Sequence, residues 1–125
     1  MHSEEQLLAG WAKAHGKKEH YYYQVKNDAM RDDKDPLHSI PQGSWIVMRR
    51  FANLNSIWWG ETFAFRTVDD IVIIRRIYPS EKEGYIKLVS KDPENWPTYD
   101  FPLDEIVEGS FSLVEGVAYV NQFVM

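Results

Sequence analysis

The sequence contains no cysteine, which excludes disulfides, thiolate metal sites and cysteine nucleophiles. It has no apolar run approaching the roughly 20 residues that a membrane-spanning helix needs. Its first residues also lack the basic and apolar layout of a signal peptide. Basic residues do not outnumber acidic ones, because the net charge is -5. The surface therefore offers no general attraction for a phosphate backbone. These absences predict a cytoplasmic protein that neither inserts into a membrane nor contacts DNA through these residues.

Length and composition set the number of domains. A chain of 125 residues with 44% hydrophobic residues supports one core but is too short for two ordinary domains. Residues 1–18 are predicted to form a short helix and a linker, because Ser3 and Gln6 make a capping box at the start of a helical apolar pattern. The apolar residues of this pattern are Leu7, Leu8, Trp11 and Ala14. Residues 19–125 then form the main domain.

The main domain has the sequence pattern of β-strands. Runs rich in aromatic and β-branched residues alternate with Gly, Pro, Asn and Asp, the residues that favour turns. The predicted strands cover residues 21–26, 45–48, 61–66, 71–78 and 85–90, and further strands follow between 101 and 125. The most apolar run, 71–78, is expected to be central. The pattern therefore predicts a compact, mostly β, antiparallel domain.

The strand that begins at Tyr21 ends in the polar turn Asn27-Asp28-Ala29-Met30, where an Asn side chain tolerates a positive φ. This stretch resembles the signature Gly-Asp-Ser-Met of the serine-lysine self-cleaving family of LexA-like repressors and UmuD-like proteins. Asp28 and Met30 match the signature, and Asn27 replaces its glycine. Ala29 occupies the position of the catalytic serine.

Further stretches resemble the same family in the same order along the chain. Gly43 precedes a Val/Ile-rich strand, Gly60 marks a turn before another strand, and residues 90–97 resemble the family's Ser-x-Asn-Pro loop. On the apolar strand, Ile74-Arg75-Arg76-Ile77 resembles the segment that carries the catalytic lysine. The resemblance places Arg75 at the position of that lysine.

The resemblance has implications for fold, assembly and biological role. It implies a LexA/signal-peptidase-like fold that forms a homodimer through its C-terminal strands, and a DNA-binding helix-turn-helix that lies outside this chain. Transcription regulation, including the SOS response, is the implied setting. Ala9-Gly10 is the kind of dipeptide that such repressors cleave in themselves. The family's terminal Glu-Gly pair fits either Glu108-Gly109 or Glu115-Gly116.

The family's catalytic chemistry needs a hydroxyl to attack the scissile carbonyl and a neutral amine to accept its proton. Ala29 has no hydroxyl, and Arg75 stays protonated because arginine has a pKa above about 12. Both substitutions argue against enzyme activity, and they predict a vestigial cleft that also includes Asn27, Asp28 and Met30.

No cofactor or metal is expected, because the histidines lack metal-binding spacing and have the pattern of ordinary surface residues. These histidines are His2, His15, His20 and His38. The charged loop 31–36 is expected at the rim of the cleft. Trp58 and Trp59 are expected to pack in a core or an interface rather than to bind a ligand.

Three functions remain open at this point. The first is a non-catalytic regulatory and dimerisation domain of a LexA-like or phage-type transcriptional repressor. The second is an UmuD-like accessory protein that stands alone and binds a polymerase or another partner. The third is a self-cleaving protease whose serine has been mutated to Ala29.

Overall fold

A computed structural model describes residues 20–51 and 57–118. Within these residues the chain forms one antiparallel sheet, which confirms the predicted mostly β, antiparallel domain. In chain order the strands are β1 (His20–Gln24), β2 (Trp45–Arg50), β3 (Thr62–Arg66), β4 (Val72–Pro79), β5 (Tyr85–Val89), β6 (Tyr99–Pro102) and β7 (Ser112–Ala118). Their order across the sheet is β1-β2-β7-β3-β4-β5-β6. Short 3-10 helices lie at Pro36–His38 and Leu103–Glu105.

Strand β4 is an interior strand, as its apolar sequence predicts, and it pairs with β3 on one side and β5 on the other. A tight turn connects it to β3. In this turn Asp70 has a φ of 62°, and its N–H donates to the Thr67 carbonyl at 2.9 Å. A short polar side chain tolerates this left-handed conformation. The predicted strands 71–78 and 85–90 are both confirmed, as β4 and β5, and they pair with each other.

Alternation along β3 divides the core between the two faces of the sheet. Phe63 and Phe65 point to one face, where the rings of Phe63 and Phe111 stack with their centroids 4.7 Å apart. Ala64 lies between them in sequence and joins a cluster on the other face, together with Ile74. Successive side chains of a strand point to opposite faces, so β3 is buried on both sides of the sheet.

The C-terminal strand β7 lies inside the sheet, between β2 and β3. It pairs with β2 over almost its whole length, but it pairs with β3 only through Ser112 and Leu113. Residues 114–118 form the second half of β7 and continue past this short pairing with β3.

A β-bulge in β7 brings a carboxylate to the edge strand β1. The register between β2 and β7 shifts after Val47, which leaves Glu115 as the extra residue of the bulge. The Glu115 carboxylate reaches across β2 to His20, whose Nε2 lies 2.6 Å from Oε2. The His20 side chain is only 4% exposed, so the expectation that it is an ordinary surface histidine is wrong. His38 is exposed, as expected.

Trp58 and Trp59 do not pack into the core. Trp58 is 53% exposed and Trp59 is 49% exposed, because they lie in the turn before β3, outside the alternation that buries one face of a strand. Trp58 contacts Phe51 edge-on, with ring centroids 5.5 Å apart. The expectation of core packing is therefore wrong, and packing in an interface stays a prediction.

Some predictions lie outside the described residues. These are the helix and linker over 1–18, the Ala9-Gly10 dipeptide, His2, His15 and any strand beyond Ala118. Within the described part of the chain, no helix has the length and apolarity needed to cross a bilayer.

Candidate functional site

The turn that follows β1 is fixed by its own side chains. Asn27 accepts the N–H of Ala29 on Oδ1 at 3.1 Å, which closes a side-chain turn of the kind that Asn favours. Asp28 accepts the N–H of Gln42 on Oδ1 at 2.8 Å. Among the described residues, Asp70 is the one non-glycine residue with a positive φ, so the φ of Asn27 is not positive. The expectation that Asn27 replaces the family's glycine in order to adopt a positive φ is therefore wrong. Its side-chain hydrogen bond is what shapes the turn.

Ala29 lies at the end of this turn and is fully buried, with 0% of its surface exposed. Its carbonyl accepts the N–H of Lys91 at 2.9 Å. The next residue, Met30, accepts the N–H of Ile40 on its carbonyl at 2.8 Å and packs in the same cluster as Ile74 of β4. The chain on both sides of Ala29 is thus held to distant parts of the fold.

Arg75 lies on β4, next to Ile74, and is 7% exposed. Its Nη1 donates to the carbonyl of Ile74 at 2.7 Å, and the guanidinium carbon lies 5.3 Å from the centre of the Trp96 ring. This is a cation-π arrangement. Burial lowers the pKa of Arg75 from its ordinary value, and the hydroxyl of Tyr99 acts in the opposite direction.

The loop between β5 and β6 links these two positions. Ser90 donates its hydroxyl to the Trp96 carbonyl at 2.6 Å and accepts the N–H of Asp92 at 3.1 Å. Trp96 N–H in turn donates to the Asp92 carbonyl at 2.8 Å. These bonds hold residues 90–96 in a compact loop, whose backbone contacts Ala29 through Lys91 and whose Trp96 ring covers Arg75.

The structure therefore places Ala29 and Arg75 against the same loop. Arg76 pairs with Val89, the residue just before the loop. Arg75 is the cross-strand partner of Phe63, so its side chain starts from the face opposite to that of Ile74, which packs with Met30. Both positions are largely buried, with Ala29 0% and Arg75 7% exposed. Their equivalence to the serine and lysine of the resembling family stays a prediction.

Charged residues form the rim of this region. Lys91, whose side chain is only 10% exposed, extends its Nζ to within 3.7 Å of Asp35 and 4.0 Å of Asp32. Beside it is an open groove of about 600 Å³. The groove is lined by Asp28, Arg31, Asp32, Asp33, Lys34, Lys91, Asp92, Pro93 and Glu94. Across the described residues, no group of three or more His, Asp and Glu side chains is arranged to hold a metal ion.

Sequence reasoning missed the part played by Lys91 and Trp96. The resemblance of residues 90–97 to a family loop pointed to this segment but not to its contacts. A bond between Lys91 and Ala29 joins residues far apart in the chain, and no local pattern encodes it.

Comparison with protein families supports the resemblance. Residues 2–110 match the family described as Peptidase S24-like, so the match covers Ala29, Arg75 and the loop between β5 and β6. Comparison with curated proteins finds no match.

Proposed function

Because the chain belongs to the Peptidase S24-like family, which includes LexA- and UmuD-like proteins, we propose that it is a non-catalytic regulatory and dimerisation domain. The parent protein is a LexA-like or phage-type transcriptional repressor. The observation that carries this proposal is the pair Ala29 and Arg75, which stand where the resemblance puts the family's serine and lysine. Neither side chain can perform the family's reaction.

The chemical argument rests on the two missing groups. Ala29 presents a methyl group, so no oxygen is available to attack a carbonyl carbon. Although burial lowers the pKa of Arg75, arginine remains protonated in proteins and does not act as a general base. The guanidinium is also engaged with Ile74 and Trp96, so this side chain serves binding or packing rather than proton transfer.

The repressor proposal assigns DNA binding to a helix-turn-helix outside this chain. The net charge of -5 and the acidic groove beside Lys91 repel a phosphate backbone. In this proposal the domain acts in the cytoplasm, within a response such as the SOS response, and pairs as a homodimer through its C-terminal strands.

The UmuD-like accessory protein is the second candidate. Its support is the exposed pair Trp58 and Trp59, because tryptophan is enriched in the energetically dominant positions of protein interfaces. This alternative requires a polymerase or another protein partner that binds at the exposed tryptophans. The third candidate, a protease with a mutated serine, explains Ala29 but gives no reason for Arg75.

The proposal is tested by incubating the full chain near pH 10, where a normal lysine is largely neutral because its pKa is about 10.4. Mass spectrometry should find the wild type and Ala29→Ser intact, since a serine without a base is a weak nucleophile. The double variant Ala29→Ser/Arg75→Lys is the matched control that restores both groups. A fragment that begins at Gly10 in the single variant Ala29→Ser would show that another base serves the site and would favour the third candidate.

A further inference from the structure

The guanidinium of Arg75 lacks the partner that buried cations usually have. In the described chain, several surface arginines have carboxylate partners: Arg49 lies 2.6 Å from Glu115, and Arg31 lies 2.9 Å from Asp33. Arg75 is far more buried than either, at 7% exposure, yet no Asp or Glu of the described residues lies within 4.0 Å of it. Burying a charge without a counter-ion is costly.

The contacts of Arg75 leave one edge of the guanidinium open. Nη1 donates to the Ile74 carbonyl, and no described acceptor takes the remaining N–H groups. Among the described residues, Nδ1 of His20 is the one side-chain polar atom that is both fully buried and without a hydrogen-bond partner. The unbonded nitrogens of Arg75 do not meet both conditions. Because they have no partner, they are not fully buried, and solvent reaches them.

The Trp96 ring contacts the guanidinium without taking its hydrogen bonds. The guanidinium carbon lies over the ring, 5.3 Å from the ring centre, which is a cation-π contact. A carboxylate binds a guanidinium in that plane, through parallel N–H···O bonds. The contact with Trp96 and the bond to the Ile74 carbonyl both restrain the guanidinium, which reduces the entropy lost when a ligand binds.

We propose that Arg75 and the Trp96 loop form a binding site for a carboxylate, supplied by a peptide C-terminus or by an Asp or Glu side chain of a partner. A single guanidinium neutralises one negative charge. A phosphate dianion would keep an uncompensated charge beside the loop residues Asp92 and Glu94, and is disfavoured for that reason. The inference rests on the proposed loss of catalysis, because it gives Arg75 a binding role at the position of the catalytic lysine.

The test titrates the full chain with N-acetylalanine and, as a neutral match, N-acetylalaninamide. The probe signal is the indole N–H resonance of Trp96 in a ¹H–¹⁵N spectrum, assigned with Trp96→Phe. The acid should shift this resonance in a saturable way, and the amide should not. Arg75→Gln should weaken binding of the acid by about tenfold or more, the usual effect of losing a hydrogen bond to a charged group.

Arg76→Gln is the matched control, because it removes the same charge from the next residue of β4, whose side chain points to the opposite face. The affinity of this variant for N-acetylalanine should stay within about twofold of the wild-type value. The proposal would be overturned if N-acetylalanine and N-acetylalaninamide shifted the Trp96 resonance equally. It would also be overturned if Arg76→Gln weakened binding of the acid as much as Arg75→Gln does. The acid and amide comparison in the wild type decides the question even if Arg75→Gln fails to fold.

Two further probes identify the ligand class. Saturable binding of inorganic phosphate but not of N-acetylalanine would overturn the carboxylate assignment. N-acetylglutamic acid α-amide carries only a side-chain carboxylate, so a comparison with N-acetylalanine distinguishes the two sources, and tighter binding of either one supports the site. The outcome is separate from the cleavage assay, since self-cleavage of Ala29→Ser would refute the proposed function whatever these titrations give.

Discussion

His20 on the edge strand β1 and Glu115 on the interior strand β7 share a contact of 2.6 Å between Nε2 and Oε2. The same carboxylate binds Nε of Arg49 on β2, also at 2.6 Å. Glu115 therefore connects strands on both sides of β2. The β-bulge in β7 supplies the extra residue that makes this contact.

Glu115→Ala should lower the free energy of unfolding by about 1–3 kcal/mol, because it leaves the buried His20 ring without its hydrogen-bond partner. Urea unfolding monitored by circular dichroism measures the change. Glu108→Ala is the control, since Glu108 is an exposed glutamate without a described ion pair. Equal losses in the two variants would mean that the contact between His20 and Glu115 contributes nothing specific.

Ser90→Ala should loosen the loop that covers Arg75. It removes the bonds of the hydroxyl with the Trp96 carbonyl and the Asp92 N–H, so we expect a loss of about 1–2 kcal/mol and a change in the indole resonance of Trp96. Thr98→Ala, an exposed change just beyond the loop, should alter neither quantity. An unchanged Trp96 resonance in Ser90→Ala would show that the hydroxyl does not position this ring.

Tyr23 should make the protein less stable at alkaline pH. Burial raises the pKa of Tyr23, while in the unfolded chain tyrosine titrates near pH 10. Above about pH 10 the unfolded state therefore releases a proton that the native state retains, and stability falls as pH rises. Tyr23→Phe should reduce the difference in unfolding free energy between about pH 8 and about pH 10.5. Identical differences in the two proteins would remove Tyr23 as the cause.

Self-association should depend on the second half of β7, residues 114–118. A groove beside it is lined by apolar residues such as Leu37, Val114 and Val117 and also by the charged residues Glu61, Arg76 and Glu115. Leu37 is 90% exposed. We expect a symmetric dimer in sedimentation equilibrium, and a weakening of about tenfold or more in Leu37→Glu, because a charge in an apolar contact costs at least that factor.

Val68→Glu is the matched control for the dimer. Val68 is also exposed, at 61%, but it follows the opposite end of β3, so its replacement should leave the dimer intact. A wild-type chain that stays monomeric at about 100 µM, an affinity weaker than most specific complexes, would refute the dimerisation role. Equal weakening by both variants would place the interface elsewhere.

The sequence by itself determined the local structure of the described domain. The alternation of Phe63, Ala64 and Phe65 predicts a strand, because a strand sends successive side chains to opposite faces. A short polar residue such as Asp70 tolerates the conformation that the tight turn between β3 and β4 needs. These are properties of neighbouring residues, so the sequence specifies them without knowledge of the rest of the fold.

The tertiary structure decided which strands are neighbours and which distant groups meet. Periodicity assigns a side chain to a face, but it does not place β7 between β2 and β3, nor does it bring Glu115 to His20, which is 95 residues away in the chain. The bond between Lys91 and Ala29 and the cation-π contact of Trp96 with Arg75 likewise depend on how the whole sheet closes its core. Such contacts form only when apolar burial offsets the entropy of closing long loops, and that balance belongs to the complete fold.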